Sequence, residues 1–198
     1  MLTGKSDFVS NHRENGFEFT LDISKVYFSP RLAMERKRIY DITKSEETVL
    51  DAFAGASPFS VGLAAKGCKV TAVDSNPAAE QWSHNNFKLN NVSKLNYNFF
   101  RSKIEDILPD LPLFGKIIMN NPTNSLPYLQ ELSKKLKSGG LIHFYKIVEK
   151  DEFFNVEEHL GPDFTCAFER QVHPYSPQSS LMVFDISKSD SNVQKTNQ

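Results

Sequence analysis

The sequence predicts an α/β fold: a doubly wound, mainly parallel, Rossmann-like sheet with a C-terminal antiparallel hairpin and a short N-terminal β lead-in. β-rich and helix-forming segments alternate from Thr48 onward, as in parallel sheets covered by helices on both faces. Only residues 174–180 separate the last two β-rich segments. These are too few for a crossover helix, so the two segments should form a hairpin at the sheet edge.

The β lead-in and one helix are predicted ahead of the alternating part. Apolar and polar side chains alternate in residues 17–21 with the period of a half-buried strand, and residues 26–28 extend this β-prone stretch. Ser29 can cap the first free amides of a helix and Pro30 suits its first position. A short helix should therefore cover residues 31–42.

The alternating part divides into further strands and helices. The predicted strands are 48–53, 69–73, 96–100, 116–119, 141–148, 164–171 and 181–186. The predicted helices are 58–66, 77–90, 126–137 and one near 153–159. We expect one folded domain over residues 16–187, between a polar N-terminal segment, 1–15, that is disordered or extended, and a disordered tail, 188–198.

Composition restricts the class of function. No apolar run approaches the roughly 20 residues of a membrane span, and the N-terminus lacks the apolar core of a signal peptide, so no membrane partner is expected. Cys68 and Cys166 cannot by themselves form a disulfide framework or a thiolate zinc site, so a reducing cytoplasm is the expected location. The histidines are scattered, and no metal is predicted. At a net charge of −1, a nucleic acid would be held by a local basic patch.

The junction after the strand at 48–53 predicts a cofactor site. Small residues around Gly55 let the main chain approach a ligand, and the first amides of the next helix favour a carboxylate, such as that of S-adenosylmethionine. Asp74 closes the next strand and can accept both hydroxyls of a ribose. The single glycine in residues 55–58 disfavours a dinucleotide. The plainer alternatives are an ordinary glycine turn and an aspartate that only caps a helix.

A second candidate site follows the strand at 116–119. The amide of Asn120 can both donate and accept a hydrogen bond, so it can recognise the edge of a planar base. Pro122 fixes the backbone that aims the amide. The alternative is an ordinary asparagine-proline turn.

Glu35 is the candidate proton acceptor. Helical spacing places it on the same face as Leu32 and Ile39, where a carboxylate is partly desolvated. Such a group can remove the N1 proton of a guanine, while Arg36 or Asn120 stabilises the charge that develops on O6. The alternative is a surface ion pair of Glu35 with neighbouring arginines.

Two groups of basic residues are candidates for phosphate contacts, with solvated helix faces as the alternative. They are Arg31, Arg36, Lys37 and Arg38 in the first helix, and Lys134, Lys135 and Lys137 in a later one.

Together these motifs resemble one family over about residues 11–187, the archaeal and eukaryotic tRNA (guanine-N1)-methyltransferases that act on position 37, 3′ of the anticodon. The matching segments are residues 12–16, 26–32, 35–36, 51–55, 58–59, 74, 76–77 and 119–122. The resemblance implies a class I fold, S-adenosylmethionine as cofactor and tRNA as the partner. It also implies that a protein partner or an additional domain contributes to tRNA recognition, because the family has N-terminal segments that hold the tRNA body.

The resemblance further implies roles for individual residues. The catalytic residues are Glu35 as general base, Arg36 and Asn120. The cofactor-binding residues are Tyr27, Asp51, Phe53, Gly55, Pro58, Phe59, Asp74, Ser75, Asn76 and Ser102. The substrate-binding residues are Arg31, Asn121 and Pro122. The chain departs from the family pattern at Ala56-Ser57, at Asn121 and at Ser102, where the family has an acidic residue.

Two other functions remain open. A related wybutosine-pathway transferase moves the aminocarboxypropyl arm of the same cofactor, and residues 120–122 and 57–58 disfavour it. A partner-dependent or non-catalytic paralogue would retain the fold and use its basic helix as a binding surface. Ser102 favours the paralogue.

Overall fold

The computed structural model describes residues 8–190, which form two sheets and the helices around them. The small sheet consists of β1 (Val9–Glu14) and β2 (Phe17–Asp22). The large sheet consists of β3 (Thr48–Asp51), β4 (Lys69–Asp74), β5 (Tyr97–Arg101), β6 (Phe114–Met119), β7 (Leu136–Glu149), β8 (Phe164–Ser176) and β9 (Ser179–Lys188). The helices are α1 (Ala33–Ile42), α2 (Pro58–Ala65), α3 (Pro77–Leu89), α4 (Ile104–Ile107), α5 (Leu129–Ser133) and α6 (Val156–Leu160).

The large sheet is doubly wound, with strand order β5-β4-β3-β6-β7-β9-β8. The first five strands in this order are parallel, and β9 lies antiparallel between β7 and β8. The strand order reverses between β3 and β6, which brings the carboxyl ends of β3, β4 and β6 to one crevice. The predicted fold class and its C-terminal hairpin are confirmed.

Helices bury both faces of this sheet. One apolar layer joins α1, α2, α3 and the small sheet through residues such as Val49 and Ile118, and the other joins α4, α5 and α6 through Leu50 and Ile117. Because neighbouring residues of one strand point to opposite faces, a run of three apolar residues in β6 can be wholly buried. Within residues 8–190, no helix combines the length and the apolarity that a bilayer crossing requires.

The N-terminal region differs from the prediction in three respects. Part of the segment predicted to be disordered or extended forms β1, which pairs along its whole length with β2. Residues 26–28 form no strand, and the Ser29 side chain does not cap the helix, which begins with a 3-10 turn at Pro30–Leu32. The small sheet is fixed to α3 by side-chain amides: Asn86 accepts from the Thr20 amide at 2.8 Å and Asn90 from the Glu18 amide at 2.9 Å.

Two predicted helices are shorter than expected. The predicted helix 126–137 ends at Ser133. The Phe114 amide donates to the Lys135 carbonyl at 2.8 Å, and β7 begins at Leu136. The helix predicted near 153–159 begins only at Val156, where the Asn155 side chain caps it. The polar termini, 1–7 and 191–198, lie outside the described residues.

Candidate active site

A cavity of about 540 Å³ lies at the crevice formed by the carboxyl ends of β3, β4 and β6. Most of the predicted site residues line it. They are Tyr27, Arg36, Phe53, Gly55, Pro58, Asp74, Ser75, Asn76, Ser102, Asn120, Asn121 and Pro122. Four predicted residues do not line it, namely Arg31, Glu35, Asp51 and Phe59. The sequence therefore identified the cavity, but not every side chain that faces it.

Gly55 and Asp74 form one end of the cavity, which we call the cofactor end. The Gly55 amide donates to Asp74 Oδ2 at 2.7 Å, and the Asn76 amide donates to Asp74 Oδ1 at 2.8 Å. Gly55 has a φ of +53°, a left-handed conformation that favours glycine. Asp74 thus joins the turns after β3 and β4, while the cap of α3 is Asn76, whose side chain accepts from the Ala78 amide. The alternative in which Asp74 only caps a helix is wrong.

Ser57, at a departure from the family pattern, is strained. Its φ is +62°, although it is not glycine, and its hydroxyl does not cap α2. Instead, the Ser57 and Ser83 hydroxyls are hydrogen-bonded at 2.6 Å, and both side chains are buried. The turn keeps its left-handed conformation at Ser57 at some energetic cost, and the bond to α3 offsets part of it.

Asp51 and Phe59 are buried near the cavity but do not line it. Asp51 is buried and accepts from Ser60 Oγ at 2.7 Å, and burial raises the pKa of its carboxyl to about 7. Phe59 packs against Tyr145, with 5.8 Å between ring centroids, and lines a separate cavity beside β2. A direct cofactor contact by either residue does not fit this geometry, because neither side chain reaches the cavity.

Asn120, Asn121 and Pro122 form the target end of the cavity, directly after β6. The Asn121 carbonyl accepts from the Ser125 amide at 2.9 Å, which closes a tight turn. The Pro122 carbonyl accepts from the Ile147 amide at 3.3 Å, which attaches this turn to β7. Within residues 8–190, the side-chain amide of Asn120 makes no hydrogen bond, so it is available to a ligand.

Arg36 is a fixed part of the cavity wall. Its guanidinium pairs with the Glu14 carboxylate, donates to the Ser29 carbonyl at 2.9 Å and lies 4.9 Å from the centre of the Phe28 ring. These contacts fix the guanidinium at the cavity, where Glu14 balances its charge. Glu14, which belongs to the resembling segment 12–16, received no role from the sequence, because its contact with α1 depends on how the small sheet packs.

Glu35 is fully buried in a group of charged and polar side chains that we call the Glu35 cluster. Arg38 donates to Glu35 Oε2 at 2.9 Å, Tyr145 donates to the same oxygen at 3.1 Å, and Arg170 pairs with Oε1. Arg38 also pairs with Asp185, whose other partner is His143 at 2.7 Å. The alternative of a surface ion pair is wrong, because the Glu35 carboxylate is buried between three elements of the fold.

The charges in the Glu35 cluster compensate one another. Burial by itself would raise the pKa of Asp185, but hydrogen bonds from His143 and Arg38 lower that pKa to about 2. Burial and the nearby Glu35 carboxylate raise the pKa of Tyr145 well above its usual value. Tyr145 therefore remains a neutral hydrogen-bond donor to Glu35.

Most of the predicted phosphate contacts have other partners. Lys37 pairs with Asp41, Arg36 and Arg38 are held as described, and Lys134 pairs with Glu131. Lys135 donates to backbone carbonyls and Lys137 to the Thr48 hydroxyl. Among the described members of the two basic groups, Arg31 alone has neither an ion pair nor a side-chain hydrogen bond, and it is exposed on the turn beside the cavity.

Further residues line the cavity that were not predicted from the sequence. They are Val26, Phe28, Ser29, Leu32, Ala52, Ala54, Lys103, Ile104, Glu105, Thr123, Asn124, Tyr128, Ile147 and Tyr175. Glu105 places an acid three residues after Ser102, close to the position where the family has one. Lys103 to Glu105 follow β5 and could have been proposed from their place after a strand. Ile147 comes from β7 and Tyr175 from the C-terminal hairpin, and no sequence motif marked either residue as part of a site.

Comparison with known proteins associates this site with one family. A family model described as the TRM5/TYW2 methyltransferase domain matches residues 10–160. The tRNA (guanine(37)-N(1))-methyltransferase Trm5b of Pyrococcus abyssi is 39% identical over 144 residues, which are 73% of this chain and 42% of the relative. The chain thus spans less than half the length of that curated relative.

This chain is similar to solved structures from both branches of this family. The structure of a complex of aTrm5 and tRNALeu has a TM-score of 0.85 at 30% identity, covering 96% of this chain and 55% of that one. The structure of Methanocaldococcus jannaschii TYW2 in complex with AdoMet has a TM-score of 0.75 at 25% identity, covering 95% of this chain and 90% of that one.

Proposed function

The chain belongs to the TRM5/TYW2 methyltransferase-domain family, and we propose that it binds S-adenosylmethionine and methylates N1 of a guanine in tRNA at position 37. One observation carries this proposal: the cofactor end and the unbonded Asn120 amide open into the same cavity. A nucleoside cofactor and a planar base can therefore lie side by side in it. We also propose that the folded domain begins with β1 rather than at residue 16, because Glu14 of β1 pairs with Arg36, which lines the cavity.

The residues of the cofactor end fit S-adenosylmethionine. The cavity volume lies within the roughly 300–1,000 Å³ of small-molecule sites. Each oxygen of Asp74 accepts one backbone amide and retains a lone pair for a ribose hydroxyl. A Cβ at Gly55 would lie 3.5 Å from the Tyr27 carbonyl, an ordinary contact, so the left-handed φ of +53° rather than lack of space favours glycine there. When bound, the cofactor supplies an activated methyl group.

The target end would bind and orient the guanine. The Asn120 amide offers a donor to O6, and the guanidinium of Arg36, paired with Glu14, is a fixed hydrogen-bond donor group at the cavity wall. For Glu35 to accept the N1 proton, as the resemblance implies, Arg170 must release Oε1 and the carboxylate must turn toward the cavity. Tyr145, which donates to Glu35, lies on β7 two residues before Ile147, which lines the cavity.

The first test is titration calorimetry of the purified chain with S-adenosylmethionine and S-adenosylhomocysteine. We expect saturable binding that Asp74→Ala weakens. Methyl transfer to an unmodified tRNA with guanine at position 37 follows, with adenine at that position as the matched control. A folded chain that binds neither cofactor contradicts the proposal.

A second candidate is transfer of the aminocarboxypropyl group, as in the wybutosine pathway. The similarity to the M. jannaschii TYW2 structure, which covers 90% of that chain, favours it. Mass spectrometry of nucleosides from the reacted tRNA distinguishes the two reactions, because the added groups differ in mass.

Recognition of the tRNA body is a further part of the proposal. Among the predicted basic residues, Arg31 is the one left with neither an ion pair nor a side-chain hydrogen bond in the described structure, so few of the predicted phosphate contacts are free. We infer that a protein partner or an additional domain contributes phosphate contacts. Comparing transfer to full tRNA and to an isolated anticodon stem-loop tests this: equal efficiency would contradict it. We further infer a cytoplasmic location, where tRNA is available and both cysteines remain thiols.

A further inference from the structure

Tyr175 lies at the mouth of the cavity, far along the chain from the motifs that predicted the site. It lines the cavity and is 59% exposed. In the pairing of β8 with β9, Pro174 is opposite Ser180 and Ser176 is opposite Ser179, so Tyr175 is the extra residue of a β-bulge. Bulges next to active sites re-aim side chains.

The ring of Tyr175 is available to a ligand. Tyr128, another aromatic residue of the cavity, packs against Phe53 with 5.8 Å between centroids. Within residues 8–190, the Tyr175 ring makes no such contact. Ile147 and Pro122, which a backbone hydrogen bond joins, line the same cavity. An exposed aromatic ring thus stands at the rim of the cavity that holds the target end.

We infer that Tyr175 is a substrate-binding residue whose ring stacks on the nucleobase next to the target guanine. This inference rests on the proposed function. Extruding a base into a cavity leaves its neighbour without one stacking partner, and single-stranded RNA commonly stacks on exposed aromatic side chains. Tyr175 replaces the lost partner at the cavity mouth. Because every base has a π-face, the contact tolerates different neighbouring nucleotides.

The test uses an anticodon stem-loop and a full tRNA, each with 2-aminopurine at one neighbour of the target. Wild-type protein and Tyr175→Phe should quench the fluorescence on binding. Tyr175→Ala should lose the quenching and bind RNA roughly 5- to 100-fold more weakly, the range found when stacking aromatics are replaced by alanine. The affinity for S-adenosylmethionine should not change.

Phe153→Ala is the matched control, because Phe153 is 82% exposed and lies outside the cavity. It should behave as wild type. Unchanged quenching and RNA affinity in Tyr175→Ala would overturn the inference, while wild-type transfer to position 37 would leave the proposed function standing. RNA binding that depends on Tyr175, without transfer by the wild type, would support the stacking contact and contradict the proposed activity. A wild-type chain that binds no RNA contradicts both.

Discussion

The cofactor end and the Glu35 cluster are built in opposite ways. At the cofactor end, Asp74 is held by backbone amides of two turns, and its partners lie 2 and 19 residues away in the chain. In the Glu35 cluster, side chains hold one another, and the pairs Glu35–Arg170 and Arg38–Asp185 span 135 and 147 residues. Turns of a recurring type specify the first arrangement locally. Only the order of strands β7, β9 and β8 brings the second together.

The two regions also differ in how they balance charge. The Glu35 cluster neutralises two carboxylates with two guanidinium groups, and this arrangement can remain buried as long as every member is present. Asp74 has backbone dipoles as its partners and faces an open cavity. We therefore expect substitutions in the cluster to affect folding as well as transfer, and substitutions at the cofactor end to affect mainly ligand binding.

The largest effect is expected from Glu35→Gln. The largely buried Arg38 loses one of its two carboxylate partners and Arg170 loses its ion pair, so the free energy of unfolding should fall by about 3 kcal/mol. Methyl transfer should fall at least about 100-fold if Glu35 is the base, while binding of S-adenosylhomocysteine is retained. Urea unfolding and single-turnover transfer, at a temperature where both proteins are folded, measure these changes. Transfer at the wild-type rate would show that the base is another group.

Arg170→Gln is the control for that experiment. The Arg170 side chain is nearly half exposed, so its ion pair is screened by water and its loss should change the free energy of unfolding by less than about 1 kcal/mol. If Arg170→Gln lowers the free energy of unfolding as much as Glu35→Gln does, then Arg170, rather than Arg38 and Tyr145, holds the cluster together.

Asp74→Asn tests the cofactor end. The amide has one acceptor oxygen instead of two and carries no charge, so the turn loses one of its backbone bonds and a ribose hydroxyl loses its ionic partner. Affinity for S-adenosylhomocysteine should fall about 10- to 100-fold, as for loss of a hydrogen bond to a charged group. The control is Glu80→Gln, which makes the same acid-to-amide change at an exposed ion pair with Arg101. This variant should bind S-adenosylhomocysteine as tightly as wild type. If both variants bind equally well, the ribose contact lies elsewhere.

Asp51 makes the stability of the protein depend on pH. Its pKa is raised by burial to about 7, above the unfolded value of 3.8, so the folded protein binds more protons between these pH values. Its contribution to stability therefore falls as pH rises from about 4 to about 7 and is constant above that range. Asp51→Asn should remove this slope and gain about 2 kcal/mol relative to wild type between pH 5 and 7. Urea unfolding at both pH values measures the difference, and parallel slopes would contradict the assignment.

The smallest effect is expected at Ser57. Ser57→Gly removes the left-handed strain, worth about 1 kcal/mol, but also the hydrogen bond to Ser83, of similar size. The free energy of unfolding should therefore change by less than about 1 kcal/mol. Ser57→Ala keeps the strain and loses the bond, so it should be the less stable of the two. The reverse order in thermal unfolding would show that relief of the left-handed strain at residue 57 contributes nothing.

Local patterns were sufficient for the predictions that succeeded. The alternation of strands and helices predicted the fold class. Gly55 and Asp74 were predicted to lie together because the position of each depends only on a strand end and the turn after it. Predicted helix ends failed where a tertiary contact decides them, as at Leu136, whose pairing with β6 ends the preceding helix early.

Side chains from distant elements could not be placed from the sequence. Helical periodicity placed Glu35 on the same face as Leu32 and Ile39, and this face is indeed buried. The periodicity contained no information about the partners of Glu35, Arg170 and Tyr145. Likewise, a run of basic residues in α1 predicted a phosphate surface, whereas Glu14 from β1 and Asp185 from β9 neutralise two of its members. These partners become visible only when the sheet order is known.

The bulge at Tyr175 belongs to a series along one strand. β8 is the outer strand of the large sheet, with residues 165–171 exposed, and its pairing with β9 shifts at Cys166/Phe168, Gln171/His173 and Pro174/Ser176. A long, regular outer strand offers its free amides and carbonyls to any other extended chain. Three interruptions in thirteen residues break the regular spacing that such a chain would need. The irregularity that aims Tyr175 at the cavity therefore also protects the protein from edge-to-edge aggregation.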